Sequence, residues 1–223
     1  MRVACLHGFL GSPEVWRGIA DGAHAVALPG HGGGPVGETW AANLDAVARA
    51  IGACDVVIGY SLGARVALGL VATERVGRAV LISVNAGIDD GERAARREAD
   101  AAWARLLRTQ GLATFLSAWE AQPLFATQAR AGAEVIAQRR ARRLALDPEQ
   151  LARSLEVMGL AEMPDYRGAL DARCSLVVGA EDTRYVELAR SWGQAAVSIA
   201  DCGHDPTLEQ PQQLARALAR MLT

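Results

Sequence analysis

The sequence predicts an α/β fold: a mostly parallel sheet with helices on both faces and an inserted all-helical cap. Two observations predict it. Short apolar runs alternate with stretches of helical periodicity over residues 1–87 and again over 171–223. Residues 88–170 contain no strand-like run and are rich in Ala, Arg, Glu, Gln and Leu, which suit helices. We therefore expect one domain with a core formed by the two outer segments and a cap formed by residues 88–170.

The first core segment is expected to supply four strands and two helices. Its apolar runs are "VACL" at 3–6, "AHAVAL" at 23–28, "DVVIGY" at 55–60 and "RAVLISV" at 78–84. Apolar residues have helical spacing over Thr39–Ala53, with Thr39 as the N-cap, and over Leu62–Thr73. Strands that alternate with helices favour a parallel sheet with right-handed crossovers.

The cap and the second core segment complete the pattern. Pro123, Pro148 and Pro164 are expected to divide the cap into several short helices, because proline breaks a helix interior. The α/β alternation then resumes with strands at 174–179 and 195–200. A helix is expected near Tyr185–Trp192, and a final helix from about Leu208.

Charge and cysteine usage narrow the class of ligand. The 223 residues carry a net charge of -2, which does not favour binding to nucleic acid or to a membrane surface, so a small-molecule ligand is expected.

The four cysteines are scattered, and no run is long enough for a membrane span or a signal-peptide core. We expect a cytoplasmic protein that is a monomer or a weak homo-oligomer. No HxH or HExxH spacing occurs, and neither a metal nor a cofactor is predicted.

The motif "GYSLG" at 59–63 points to a reactive serine. It matches the nucleophile elbow G-x-S-x-G, in which flanking glycines permit a sharp turn that projects the serine from the end of a strand. A strand is predicted before the motif and a helix after it, as the elbow requires. Ser61 is therefore a candidate catalytic residue.

Two further strand ends supply an acid and a histidine. Asp182 follows the strand at 174–179, and His204 follows the last strand. The chain order serine, acid, histidine is that of the α/β-hydrolase triad, in which the histidine takes the proton of the serine and the acid orients the histidine. The position of the acid stays open among neighbouring carboxylates, Asp182, Glu181, Asp201 and Asp205.

An oxyanion hole is expected beside Ser61. In this fold, one donor is the backbone N–H after the serine, here Leu62, and the other comes from the loop after an early strand. That loop is "HGFLG" at 7–11, and Phe9 is the expected donor. His7 and His31 are expected to shape the nearby loops.

Beyond these general motifs, the chain resembles one family along nearly its whole length. The segments "LHGFLGSPEVW", "LPGHG", "GYSLGARVAL", "ERAARREADAAWA", "FLSAWEAQPLF", "RLALDPEQLARSL", "VVGAEDTRY" and "CGHDPTLEQP" occur in order. Together they resemble the 2-succinyl-6-hydroxy-2,4-cyclohexadiene-1-carboxylate synthases of menaquinone biosynthesis. The resemblance implies a cofactor-independent lyase on an α/β-hydrolase fold that eliminates pyruvate from a polycarboxylate. It also implies that Ser61, activated by His204 and Asp182, acts as the base.

The resemblance and helix geometry together indicate the substrate-binding residues. Arg65 lies four residues after Ser61, so it shares a helix face with the serine, and an arginine suits a carboxylate-rich substrate. The motif match implies that Arg96 and Arg143 contribute from the cap. It further implies that Trp119 lines the pocket and that Tyr60 lies beside it. Three other arginines compete with Arg143 for this role: Arg139, Arg140 and Arg142. Trp103 is expected in the core.

The sequence departs from the family pattern in the cap and near two strand ends. Glu120 stands where a tyrosine usually follows the motif tryptophan, and this places an acid near an anion-binding pocket. "SVNAGID" replaces the usual turn after its strand, and "GHDPT" lacks a second histidine.

Two alternatives remain open. A carboxylesterase, thioesterase or carbon–carbon hydrolase would use the same triad, and the arginines would then point away from Ser61. A catalytically silent binding module is the second alternative, although such a module usually lacks a triad member.

Overall fold

The computed structural model describes residues 1–222, and within them six strands form one wholly parallel sheet. The strands are β1 (Val3–Leu6), β2 (His24–Val26), β3 (Val56–Tyr60), β4 (Ala79–Ile82), β5 (Cys174–Gly179) and β6 (Ala196–Ile199). Their spatial order is β2-β1-β3-β4-β5-β6. The predicted fold class is confirmed, and the sheet is parallel throughout.

Helices cover both faces of the sheet. They are α1 (Trp40–Ile51), α2 (Leu62–Ala72), α3 (Asp90–Glu120), α4 (Ala133–Arg143), α5 (Pro148–Val157), α6 (Thr183–Ser191), α7 (Pro206–Glu209) and α8 (Pro211–Met221). Successive strand residues point to opposite faces, so Val57 packs in the core under α1 and α2, whereas Ile58 packs in the core under α8. The continuous apolar sequence of β3 reflects burial on both sides.

The two ends of α1 show how the local sequence determines where a helix begins and ends. The side chain of Thr39 accepts a hydrogen bond of 3.1 Å from the N–H of Ala42, as predicted for its N-cap. The helix ends at Ile51, and Gly52 follows it with φ of 60°, a conformation that glycine adopts without a Cβ clash.

The segment between β4 and β5 is helical, but the expectation of several short helices is wrong for its first part. α3 spans 31 residues, and Gly111 divides it into a long helix at 90–110 and a shorter one at 112–120, because its φ of 77° and ψ of 170° are not helical. α3 packs against α5 around a separate apolar core that includes Leu107, Phe115 and Leu151. The division into a core and a cap at residues 88 and 170 stays a prediction.

The C-terminal segment also differs from expectation. Instead of one final helix from Leu208, the chain forms α7 and α8, with Gln210 in a non-helical conformation between them at φ of -141° and ψ of 55°. Pro211 explains the break, because proline fits the first turn of a helix and not its interior. In the part of the chain described, no helix is both long and apolar enough to cross a membrane.

Candidate active site

Ser61 occupies a strained turn between β3 and α2. Its φ is 52° and its ψ is -109°, a region that side-chain-bearing residues rarely adopt. The flanking glycines permit this turn: a Cβ at Gly63 would lie 2.3 Å from the carbonyl oxygen of Leu6, and a Cβ at Gly59 would lie 2.3 Å from that of Gly63. The "GYSLG" sequence therefore forms the elbow that its pattern predicts.

The structure brings the three candidate triad residues together at the carboxyl end of the sheet. His204 Nδ1 lies 2.7 Å from Asp182 Oδ2, and His204 Nε2 lies 3.2 Å from Ser61 Oγ. Both His204 and Asp182 are buried. Because a carboxylate only accepts, Nδ1 carries the proton and Nε2 is left to accept from the serine hydroxyl.

The alternative acids have other partners or positions. Glu181 pairs with Arg130 in a bidentate ion pair of 2.7 and 2.8 Å, and Asp205 accepts from Arg139 at 2.6 Å. Asp201 is exposed. Asp182 is the carboxylate that contacts the histidine ring.

The expected oxyanion donors both lie at the site. Phe9 and Leu62 line the same cavity as Ser61, and within residues 1–222 neither backbone N–H donates to a protein acceptor. The loop that carries Phe9 is fixed by His7, whose Nδ1 donates to the Gly8 carbonyl at 2.7 Å and whose Nε2 accepts from the Leu28 N–H at 3.1 Å. Burial, together with nearby His31, lowers the pKa of His7 to about 3, so the ring is neutral and can make both bonds.

The candidate triad opens into a cavity of about 310 Å³ at the interface with α3, α4 and α5. We call it the main cavity. All the substrate-binding candidates from the sequence line it: Arg65, Arg96, Arg143, Tyr60 and Trp119. The cavity therefore brings Ser61 and His204 of the candidate triad together with several arginine side chains.

Two of these arginines approach from α2 and α3. Arg65 donates from Nη1 to the Met158 carbonyl at 3.0 Å. Burial and the neighbouring charge of Arg96 lower the pKa of Arg65 to about 10, which leaves it charged at neutral pH. Arg96 Nε donates to Asp100 Oδ2 at 2.9 Å, and this contact holds its guanidinium at the cavity wall.

Two arginines of α4 also line the cavity wall. Arg143 is buried and donates to Glu120 Oε1 at 2.8 Å, and Arg139 donates to Asp205. Both line the main cavity. The sequence left one substrate-binding role open among four arginines of this segment, and the structure places two of them, Arg139 and Arg143, at the cavity. Arg140 instead binds the other oxygen of Glu120.

Sequence reasoning missed several lining residues and misplaced one. Trp103 was expected in the core, but it is half-buried and lines the cavity, with its ring 5.1 Å from that of Trp119. The spacing of α3 cannot separate the two environments, because Trp103 packs against the core of the cap and lines the cavity as well. The other lining residues that sequence reasoning missed include Asn85, Ser154, Arg184 and Tyr185. Three of these follow strand ends or the candidate acid, which could have identified them.

No potential metal centre lies in the described residues, where no group of three or more His, Cys, Asp or Glu side chains could hold an ion.

Comparison with known proteins agrees with this architecture. The model of the alpha/beta hydrolase family matches residues 3–217. A protein of Klebsiella pneumoniae is 31% identical over 97% of this chain and 92% of its own length, and one of Salmonella agona is 29% identical over the same shares. Both are named 2-succinyl-6-hydroxy-2,4-cyclohexadiene-1-carboxylate synthase.

Two solved structures show the same fold. MenH from S. aureus superposes with a TM-score of 0.88 at 24% identity and covers 99% of this chain and 93% of its own. A thermophilic esterase from Thermogutta terrifontis gives a TM-score of 0.78 at 26% identity, with 100% and 89% covered.

The fold and the family match define the class: the chain belongs to the alpha/beta hydrolase family. Within that family, it resembles the 2-succinyl-6-hydroxy-2,4-cyclohexadiene-1-carboxylate synthases over nearly its whole length.

Proposed function

We propose that the protein is a lyase of menaquinone (vitamin K2) biosynthesis. In this proposal it eliminates pyruvate from 2-succinyl-5-enolpyruvyl-6-hydroxy-3-cyclohexene-1-carboxylate and forms 2-succinyl-6-hydroxy-2,4-cyclohexadiene-1-carboxylate, the product in the names of its relatives. The observation that carries the proposal is the combination of a Ser-His-Asp arrangement with arginines from α2, α3 and α4 in one cavity.

The arginines suit a substrate with several carboxylates. A guanidinium group stays charged and binds a carboxylate through two parallel hydrogen bonds. Arg65 and Arg96 lie on one part of the wall, and Arg143 lies on another, so carboxylates at different positions of one ring can be held at once. A neutral ester would offer these guanidinium groups no carboxylate to bind.

In the proposed mechanism, Ser61 acts as a base. His204 Nε2 accepts the hydroxyl proton of Ser61, and the serine oxygen removes a proton from the substrate ring. The electron pair of that C–H bond forms the conjugated diene as the carbon–oxygen bond to the enolpyruvyl group breaks. The leaving group departs as the enolate of pyruvate, which takes up a proton. Asp182 stabilises the imidazolium that His204 becomes.

The backbone donors have a separate role in this mechanism. The N–H groups of Leu62 and Phe9 stabilise the negative charge that builds on a substrate carboxylate or carbonyl oxygen as the ring proton leaves. The aromatic rings of Tyr60 and Trp119 line the cavity beside the reacting ring.

Hydrolysis of an ester or thioester is the second candidate function. The triad geometry is the same for both reactions, and the esterase from Thermogutta terrifontis shares the fold at 26% identity. In that reaction, Ser61 would attack a carbonyl carbon and the oxyanion donors would bind the tetrahedral oxygen.

One assay separates the two functions. Pyruvate release from the enolpyruvyl tricarboxylate, coupled to lactate dehydrogenase, is measured beside hydrolysis of a small nitrophenyl ester. We expect fast pyruvate release that is lost in Ser61→Ala and strongly weakened in Arg65→Ala. Ester turnover without pyruvate release would contradict the lyase and support the hydrolase.

A further inference from the structure

A second cavity adjoins the main cavity and is not used by the mechanism above. It encloses about 290 Å³ between α4 and the 3-10 helix Pro123–Ala131, and we call it the side cavity. The two cavities have four lining residues in common: Gln122, Phe125, Arg139 and Arg143. The guanidinium groups of α4 therefore border both spaces.

The side cavity is lined by buried donors that have no acceptor. Nη1 of Arg139, Nε of Arg143 and Nε2 of Gln128 are each buried without a hydrogen-bond partner. Gln128 is buried, and the side chain of Arg143 is 7% exposed. Leaving a buried donor unpaired costs free energy, so three such donors around one cavity indicate a missing acceptor.

The charges around the side cavity also fit an anion. Arg139 is paired with Asp205, whereas Arg140 and Arg143 share the single carboxylate of Glu120. Three guanidinium groups are thus matched by two carboxylates. Glu120 itself lines the side cavity, but both of its oxygens already accept from arginine.

We propose that the side cavity is a carboxylate-binding subsite, formed by Gln128, Arg139 and Arg143, for the end of a flexible arm of the substrate. The proposal rests on the proposed function for the nature of the arm, which is the succinyl group of the substrate. The substrate ring occupies the main cavity beside Ser61, and the terminal carboxylate reaches the donors at the wall that the two cavities share.

In this proposal, the arginines bind different parts of the substrate. Arg65 and Arg96 face the main cavity only, whereas Arg139 and Arg143 face both. Asp205 is a positioning residue here, because its 2.6 Å contact with Nη2 of Arg139 holds the guanidinium and leaves Nη1 for the ligand.

Binding calorimetry with benzoylpropionate, an aromatic ring that carries a succinyl arm, tests the subsite without any need for turnover. Its primary amide has the same shape without the charge. We expect the wild-type protein to bind the acid more tightly than the amide by roughly tenfold or more. Gln128→Glu places a carboxylate inside the side cavity, so the ratio should fall to near one. Gln128→Leu removes the neutral donor and should lower the ratio severalfold.

Gln138→Glu is the matched control, because Gln138 is exposed on α4, the helix that carries Arg139 and Arg143, and the chemical change is identical. It should keep the wild-type ratio. A wild-type ratio near one, or a ratio that survives in Gln128→Glu, would overturn the subsite. Acetate that binds as tightly as benzoylpropionate would assign the side cavity to free carboxylates and overturn the role of the arm. The ratio of the two affinities can be measured even if the protein releases no pyruvate. A failure of the subsite proposal can therefore be distinguished from a failure of the lyase proposal.

Discussion

Glu120 Oε1 accepts a hydrogen bond of 2.8 Å from Nη1 of Arg143, and the other oxygen of Glu120 is bound by Arg140. Arg143 faces the cavity that contains Ser61. An acid of the chain itself therefore neutralises part of a cation that we propose for substrate binding. The departure at Glu120 that the sequence analysis noted is an internal counter-ion of Arg143, and it lies outside the lining of the main cavity.

Replacing Glu120 by glutamine should lower the KM for the tricarboxylate. The substitution removes the negative charge beside Arg143, so the guanidinium attracts a substrate carboxylate more strongly. We expect a decrease of about threefold with little change in kcat. Steady-state pyruvate release at low salt measures it, with the exposed Glu134→Gln as the control. An increase in KM would show that Glu120 helps binding.

Asp182→Asn should lower kcat for pyruvate release by about a thousandfold or more. An amide at this position favours the wrong tautomer of His204 and cannot stabilise its charged form. The neighbouring Glu181→Gln, which only disrupts the pair with Arg130, should keep most of the activity. The opposite ranking of the two variants would mean that the acid is misassigned.

Gly63→Ala should destabilise the fold at the elbow. The added Cβ would lie 2.3 Å from the Leu6 carbonyl oxygen, so β1 and α2 would have to separate. We expect the free energy of unfolding to fall by about 1–3 kcal/mol. Urea denaturation measures it, with Gly168→Ala as the control because a Cβ there meets no atom within 4 Å. Equal stability of both variants would refute the close approach.

Mild acid should destabilise the protein through two buried histidines. Burial lowers the pKa of His7 to about 3 and of His31 to about 4, against 6.5 in the unfolded chain. Below pH 6.5, the unfolded chain therefore binds protons that the folded chain does not. Each histidine should lower the free energy of unfolding as the pH falls from 6.5 towards 5, with a slope that rises to about 1.4 kcal/mol per pH unit at the lower end.

Urea denaturation at pH 6.5 and pH 5 checks this slope. His31→Gln should reduce this slope by the contribution of one histidine. A His31→Gln protein with the full wild-type slope would contradict the assignment.

The sequence predicted most of the fold because its local patterns agree with the packing. Thr39 caps α1, the apolar run of β3 is buried on both faces, and the elbow glycines match a turn that needs them. The ends of three parallel strands meet at one edge, and this is why Ser61, Asp182 and His204 could be grouped from their positions in the chain.

Other features depend on packing that local patterns do not encode. Gly111, at φ of 77° and ψ of 170°, separates two helices within α3, and no proline marks this break in the sequence. Arg139 and Arg143 are one helical turn apart and therefore share a face of α4, but the sequence does not say which face of that helix meets the cavity. The partners that hold them, Asp205 and Glu120, lie 66 and 23 residues away along the chain.

The central claim is that pyruvate leaves by elimination and not by attack of water. The most direct test is turnover of the enolpyruvyl tricarboxylate in water enriched in the heavy oxygen isotope. Lactate dehydrogenase reduces the pyruvate at once, before its carbonyl oxygen exchanges with the solvent. Mass spectrometry then measures the mass of the lactate. Elimination predicts lactate without the heavy isotope and an equal amount of conjugated diene. Lactate that carries one heavy oxygen, with no diene formed, would contradict the account.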